Sequence, residues 1–556
     1  MRLTMNRREM LLVVGGAAVA AAASSVVAPK AAQAQPKEFE PAVAGEPNAA
    51  WGAKADALTP ALTETAQPLL ALVRAVADPG APLHWRMEPE GEGLAGRTFK
   101  KGDSFILDFG GHRTGHLAFR LETVGREPDA PARLRLTFGE VPSDVAEPLY
   151  PYNGMLSSAW LPDEIVNIDY LPQAVQLPRR YAFRYVKVEV IDTSSGFSIR
   201  FEDVKAIGLT SAKTVPAPLP SKYSDLARRI DAVALATLRD CMQTTFEDGP
   251  RRDQRLWVGD LRLQALANYA TFKQNDLVKR CLYLFAAYRR QDGLVAACVY
   301  EKPKARYGGI HIVDYAALFN VALADYLEAT GDEATARELW PVAKRQLEII
   351  GQRINADGRY VDPGNVWIFI DWAPDLHKDA AVQGLLVFAH KRTLDLARKL
   401  GVQAEVADYP VLIERMTKAA RGYWDASAKA FVSGPNRQVS WASQAWMAIG
   451  GVLPAKDCAT ALKTAFNRAD AVKPVTPYLY HYMVEAMLDS GLDKDAQALV
   501  ESYWGGMVKA GADTFWEVYD PAKPLSSPYG DIHINSYCHA WSCTPTYFYR
   551  ARGMVA

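Results

Sequence analysis

Charge of either sign in excess is missing from this chain. Lysine plus arginine equals aspartate plus glutamate, 63 of each, so there is no global field. That excludes the basic surface by which proteins gather nucleic acid or anionic membrane, and it leaves a neutral or locally recognised partner. Cysteine is scarce, six in 556 residues, too few for a disulfide framework. Cys241, Cys281 and Cys298 read as small core residues. Cys538 and Cys543 stand close enough in sequence to pair, if the compartment is oxidising. Among the nine histidines only His112 and His116 have His-x-x-x-His spacing, in a stretch that reads as strand and not helix, and the cysteines never fall into Cys-x-x-Cys. No zinc site is therefore expected, and no metal or organic cofactor.

What is present divides the chain into parts. Residues 1–34 read as an export signal: Asn6-Arg7-Arg8-Glu9-Met10-Leu11-Leu12 resembles a twin-arginine motif, a mild Ala/Gly/Val run follows, and Ala32-Gln33-Ala34 fits a cleavage site. The run is short and Ala-rich, which favours a cleaved signal over a membrane anchor. The mature chain is expected from Gln35 onward, periplasmic or secreted, with no anchor. Residues 35–80 are Ala/Pro-rich, with one helix expected over 59–77. Over 81–215 the pattern alternates apolar and polar residues, as in Ser104-Phe-Ile-Leu-Asp-Phe109 and Arg184-Tyr-Val-Lys-Val-Glu-Val190. Short strands with Gly-rich turns between them predict a β-sandwich. A Pro/Ala/Lys-rich linker lies at 211–221, and from Lys222 the period is helical to the end. Residues 222–556, within an expected helical domain of 216–556, have room for about twelve helices at ordinary connection lengths. Twelve helices can close as six hairpins or stack as a solenoid, and no 34- or 40-residue repeat is evident to support the solenoid.

Chemistry concentrates in Glu247-Asp-Gly-Pro-Arg-Arg-Asp-Gln-Arg-Leu-Trp-Val-Gly-Asp260. Gly249-Pro250 breaks any helix there. Most charged runs are solvated loops, but this one is flanked closely by apolar helical patterns and contains Trp257. The run resembles the signature loop of the α-L-rhamnosidases of glycoside hydrolase family 78, roughly Asp-Cys-Pro-x-Arg-Glu-x-x-Gly-Trp-x-Gly-Asp. Asp248, Pro250, Arg252, Trp257, Gly259 and Asp260 fall on it without a gap. Asp253 stands where the family has its general-acid Glu, Gly249 replaces the Cys, and Leu256 replaces the Gly before the Trp. An alignment with one extra residue places the acid on Gln254, which has no useful proton to give.

A glycosidase needs a second carboxyl group across the scissile bond. Thr514-Phe515-Trp516-Glu517 resembles the family's Thr-x-Trp-Glu motif, where the Glu is the general base. Read without the resemblance, Glu517 is an ordinary helix-end acid and its aromatics are core. The resemblance covers nearly all of the mature chain. It implies an N-terminal β-sandwich followed by an all-α (α/α)₆ six-hairpin barrel, and an inverting hydrolase that releases terminal α-L-rhamnose from a rhamnose-containing carbohydrate. Asp253 is then the acid and Glu517 the base. Asp248, Arg252, Trp257, Asp260, Asp371, Trp372, Trp516 and His539 are the expected substrate-binding residues. Arg252 is expected to orient Asp248 or Asp260, and Trp257 offers a flat face to a deoxy sugar. Asp253 is expected to carry a raised pKa, and Glu517 to stay ionised and reach water. His311 and Asp314 are further pocket candidates. Two other readings are open: a polysaccharide lyase using Tyr519 or His539 as its base, and a sugar-binding relative that has lost catalysis.

The export reading is tested by replacing Arg7 and Arg8 with Lys. Precursor should accumulate in the cytoplasm on fractionation; normal export of the double mutant rules the twin-arginine route out.

Overall fold

In a computed structural model of the chain, residues 42–554 are described, and the expected export signal at 1–34 lies outside them. Helix α1 (Ala49–Ala57) is capped by Asn48, whose side chain accepts from the Trp51 amide. Strands then follow: β1 (Thr63–Pro68), β2 (Ala71–Ala77), β3 (Trp85–Pro89), β4 (Ser104–Gly125) and β5 (Ala132–Gly139). After the short helix α2 (Pro142–Ala146) come β6 (Asp163–Ile168), β7 (Gln173–Gln176), β8 (Tyr181–Asp192) and β9 (Phe197–Thr210). The helix expected over 59–77 is instead β1 and β2. Pro60 and Pro68 interrupt it, and each strand gains ladder partners that a lone helix would not have. β1 pairs with β9, and β2 pairs with β3 and β4.

All of these strands join in an antiparallel sheet ordered β1-β9-β4-β8-β5-β6, with β2 and β7 also on β4 and β3 on β2. β4 is its spine. It pairs with β8 over its first half and β9 over its second, with register shifts between Asp108 and Arg113 and between Ala118 and Arg120. Such irregularities bend a strand and let it serve two neighbours. The core beneath it includes Leu117, Leu121, Leu134, Leu136, Phe138 and Phe183, all fully buried. Burial of side chains of this size contributes about 1.5–3 kcal/mol each.

The helical region begins with α3 (Asp225–Cys241), capped by Ser224. It continues through α4 (Val258–Ala270), α5 (Asn275–Ala287), α6 (Val313–Thr330), α7 (Glu333–Gly351), α8 (Asp379–Lys399) and α9 (Tyr409–Arg421). Then come α10 (Trp441–Ile449), α11 (Ala455–Asn467), α12 (Pro477–Asp489), α13 (Asp493–Lys509) and α14 (Pro545–Arg550). α4 packs on α6, α6 on α8, α8 on α10 and α10 on α12, and a 3-10 turn at Ala540–Ser542 touches both α12 and α4. α4, α6 and α12 are buried nearly all round, whereas α9 buries only Tyr409, Met416 and Ala420. That is the signature of an inner set of helices covered by an outer one. The helical run is not unbroken. β10 (Leu256–Trp257), β11 (Cys298–Tyr300) and β12 (Arg306–Tyr307) form a small antiparallel sheet. Strands of two or three residues carry no readable period in sequence. Among the described residues no helix is long and apolar enough to cross a membrane.

The β region grips the helical region through buried polar groups. Arg251 donates to Asp144 at 2.6 and 3.0 Å and lies 3.6 Å from Glu140; Glu140 also accepts from the Tyr537 amide at 2.7 Å. His112 sits between Asp240 (2.6 Å) and Glu140 (3.0 Å). Burial opposes charge on His112, but Cys538, Asp240 and Glu140 together hold its pKa well above the usual value. Cys538 faces Cys241, with the sulfurs 3.9 Å apart, and not Cys543; the described cysteines are all unbridged. The approach of the end of α3 to the Cys538 loop sets this contact, and nearness in sequence does not.

Arg251→Met should cost about 3–5 kcal/mol, because it strands the Asp144 and Glu140 carboxylates in the interior. A fall in the thermal unfolding midpoint measures it; an unchanged midpoint means the ion pair contributes no net stability.

Candidate active site

The loop between α3 and β10 is folded around the Asp248 carboxylate. It accepts from the Arg255 amide at 3.1 Å and the Asp253 amide at 3.4 Å, while the Asp248 amide donates back to the Arg255 carbonyl at 2.9 Å. Gly249 suits the crowded inside of this turn: a Cβ there would lie 2.6 Å from the Arg252 carbonyl oxygen. Gly259 does the same for the pocket wall, since a Cβ would meet the Tyr315 ring at 2.4 Å. These contacts set Asp253 on one side of a pocket of about 400 Å³, with Asp248, Trp257 and Asp260 also lining it.

Glu517 reaches the same pocket from the far end of the chain. It is 1 % exposed, so it forms the pocket's floor and does not project into water as expected. One of its oxygens accepts from Arg252 at 2.5 Å and from the Ser536 amide at 3.3 Å; the other accepts from the Tyr529 hydroxyl at 2.5 Å and lies 3.9 Å from His539. Burial raises the Glu517 pKa, and Arg252, Tyr529 and Ser536 oppose that rise. Arg252 is therefore not the partner of Asp248 or Asp260. It is committed to Glu517, donates to the Ile534 carbonyl at 2.5 Å, lies 4.3 Å over the Tyr529 ring and stands 3.9 Å from Asp253. One guanidinium thus lies between the two motif acids.

Burial raises the pocket carboxyls Asp248 and Asp260 as well as Glu517. Asp248 is pushed well up by burial and then by the charge of Asp253, and Asp260 by burial and then by Asp248. His539 is pushed well down by burial and then by Arg252, so it is neutral. Its Nδ1 lies 3.5 Å from an Asp260 oxygen. Trp257 Nε1, that Asp260 oxygen and His539 Nδ1 have no hydrogen-bond partner among the described residues. Buried polar atoms left so are costly unless a ligand completes them; a polyhydroxylated ring does.

The rest of the lining is aromatic, with Trp367, Phe369, Trp372 and Trp541 facing Tyr315 and Tyr529. Asp371 and Trp516, expected beside the sugar, are not part of it. Asp371 turns away to accept from the Thr476 hydroxyl and from the Val475, Thr476 and Ala373 amides, tying the loop to the start of α12. Trp516 packs edge-on against Tyr519 and Tyr537 behind the wall. Asp314 likewise accepts from the Phe369 and Ile370 amides. It holds Ile370 at φ 54, an uncommon conformation for a β-branched residue, and so aims Phe369 into the pocket. Tyr519, the other candidate lyase base, does not line the site, nor does His311. Tyr529 escaped sequence reasoning: it sits alone in a Pro/Ser-rich loop, and only the length of that loop marked it.

Carboxyl groups on two walls of an aromatic cup define a glycoside hydrolase site. Residues 69–207 match the glycosyl hydrolase family 78 alpha-rhamnosidase N-terminal domain, and residues 223–552 the bacterial alpha-L-rhamnosidase 6 hairpin glycosidase domain. Among solved structures, a rhamnosidase from Klebsiella oxytoca with rhamnose bound superposes with a TM-score of 0.88 at 45% identity, covering 91% of this chain and 99% of that one. A GH78 family rhamnosidase of Bacillus sp. GL1 gives 0.68 at 24% identity, over 81% of this chain and 46% of that one. The Streptomyces avermitilis α-L-rhamnosidase complexed with L-rhamnose gives 0.64 at 16%, over 88% and 44%. The last two likenesses are of fold, and this chain spans less than half the length of either protein. No curated protein sequence matches. The chain belongs to the bacterial α-L-rhamnosidases of glycoside hydrolase family 78.

Asp260→Asn tests the electrostatics of the pocket. Because folding raises the Asp260 pKa, its contribution to stability is lost as pH climbs through the ordinary carboxylate range toward the raised folded value. The neutral amide should therefore unfold a few degrees higher than the parent at pH 7, with the difference shrinking as pH falls below that of a free carboxyl group. An equal midpoint at both pH values contradicts the assignment.

Proposed function

We propose that this protein is an exported α-L-rhamnosidase that hydrolyses a terminal α-L-rhamnoside with inversion at the anomeric carbon. The observation that carries the proposal is the convergence of Asp253 and Glu517, far apart in sequence, on one aromatic pocket with Arg252 between them. The closed run of contacts among the inner helices supports reading the helical region as an (α/α)₆ barrel, and the bent antiparallel sheet supports a β-sandwich before it. The twin-arginine-like segment supports export to the periplasm or beyond.

In the reaction, rhamnose lies in the cup with its apolar C6 methyl against the aromatic wall and its hydroxyls on Asp260, His539 and Trp257. Asp253, on the more open side of the pocket at 18% side-chain exposure, protonates the departing glycosidic oxygen. Glu517, its two oxygens held by Arg252 and Tyr529, takes a proton from water that attacks the opposite face of the anomeric carbon. Arg252 favours the ionised base, and that carboxylate favours the positive charge that grows on the sugar.

Release of L-rhamnose from an aryl α-L-rhamnoside, with the first-formed anomer read by NMR, is the direct test. Glu517→Gln should lower turnover on the order of a hundredfold or more on every substrate. Asp253→Asn should do so on a natural rhamnoside but far less on an aryl one, whose leaving group needs little protonation. Full activity of Asp253→Asn on the natural substrate moves the acid elsewhere in the loop.

A further inference from the structure

We propose that the leaving-group side of this pocket is built for a uronic acid residue, so that the enzyme's substrates are rhamnosyl-uronates. The proposal rests on the rhamnosidase reading, because the group that protonates the glycosidic oxygen marks the side on which the aglycone lies. That side is Asp253, and the first side chain beside it is Arg255, 3.5 Å away.

Arg255 belongs to a rung of three residues across the small sheet β10-β11-β12. Leu256 pairs with Val299, which places Arg255 beside Tyr300, and Tyr300 pairs directly with Arg306. Residues opposite one another in a ladder share a face, and residues two apart in a strand share it too. The face that turns Trp257 into the sugar pocket therefore also presents Arg255, Tyr300 and Arg306. Both guanidinium groups lie on the Tyr300 ring, at 4.1 and 4.2 Å from its centre. The rung runs outward from half-buried Arg255 to exposed Arg306, and the turn between β11 and β12 adds exposed Lys302 and Lys304.

Apart from Arg255, the charge of this rim is uncompensated. Among the described residues, no carboxylate lies within ion-pair distance of Arg306, Lys302 or Lys304, and Arg255 has only Asp253. The one acid in the turn, Glu301, is spent on Arg280 and Thr244 at 2.7 and 2.6 Å. A chain with no net charge thus places four cations, and no free acid, where the aglycone must pass. A flat aromatic aglycone finds the Tyr300 ring already covered by guanidinium groups. A carboxylate on the sugar next to rhamnose finds two planar donors that match its geometry.

The experiment compares kcat/KM on two disaccharides of the same linkage, α-L-rhamnosyl-glucuronate and α-L-rhamnosyl-glucose, with an aryl α-L-rhamnoside as reference. The uronate should be favoured on the order of tenfold. That ratio should fall toward one in Arg306→Ala, and in the unaltered enzyme as salt is raised, since exposed charges are screened. The salt series needs no variant, so misfolding of Arg306→Ala cannot hide the result. Equal rates on both disaccharides, with rhamnose still released, overturn the uronate subsite and leave the rhamnosidase standing. A uronate preference indifferent to both Arg306 and salt overturns its assignment to this rung. No rhamnose from any of the three substrates removes the underlying reading and the subsite with it.

Discussion

A single buried guanidinium decides what charge this pocket can hold. Asp248, Asp253, Asp260 and Glu517 line one small space, and the cation that lines it with them is Arg252. Carboxylates gathered away from water cannot all ionise. Arg252 cannot lose its proton and is fixed by a carbonyl, a carboxylate and a ring at once. Beside it Glu517 is raised by burial against the pull of Arg252, while Asp248 and Asp260 are pushed well up by burial and by neighbouring carboxylates. The pocket carboxyls differ by their position around one cation more than by residue type.

The same economy of acids extends behind the wall. Asp314 and Asp371 are as buried as the pocket carboxyls, yet both are used up on backbone amides, one to hold the turn at Ile370 and the other to tie that turn to α12. These two fix the aromatic side of the cup, whereas the loop around Asp248 fixes the acidic side. The cup is rigid because each half is anchored to the main chain through a carboxylate with no freedom left.

This explains how far the sequence could be read. Periodicity shows the alternating strands from Ser104 onward and the long helices after Lys222, because each buries one clear face or stripe. Asp253 and Glu517 were legible as motif positions because each short motif keeps its own residues in register. Asp371 was misassigned because an acid beside a tryptophan looks the same in sequence whether it faces a sugar or a row of amides. Residues 59–77 were misassigned because an Ala-rich stretch takes its conformation from the strands it meets. Tyr529 and the 298–307 strands were invisible for a related reason: their roles are defined wholly by contacts with distant segments.

Arg251 and Arg252 are neighbours in the chain but answer to different masters. Arg251 is held by Asp144 and Glu140 of the β region, and Arg252 by Glu517 of the pocket. One contact between the two halves of the protein thus falls two residues before Asp253, and His112 and Glu140 add others. A catalytic region cut free of its β partner would carry a buried, unanswered cation next to its own active residues. Recombination that exchanged one half for a distant relative's would meet the same mismatch. The pair is better regarded as one heritable unit than as an enzyme with a detachable accessory, and gene fusions or swaps in this lineage should break outside residues 63–554.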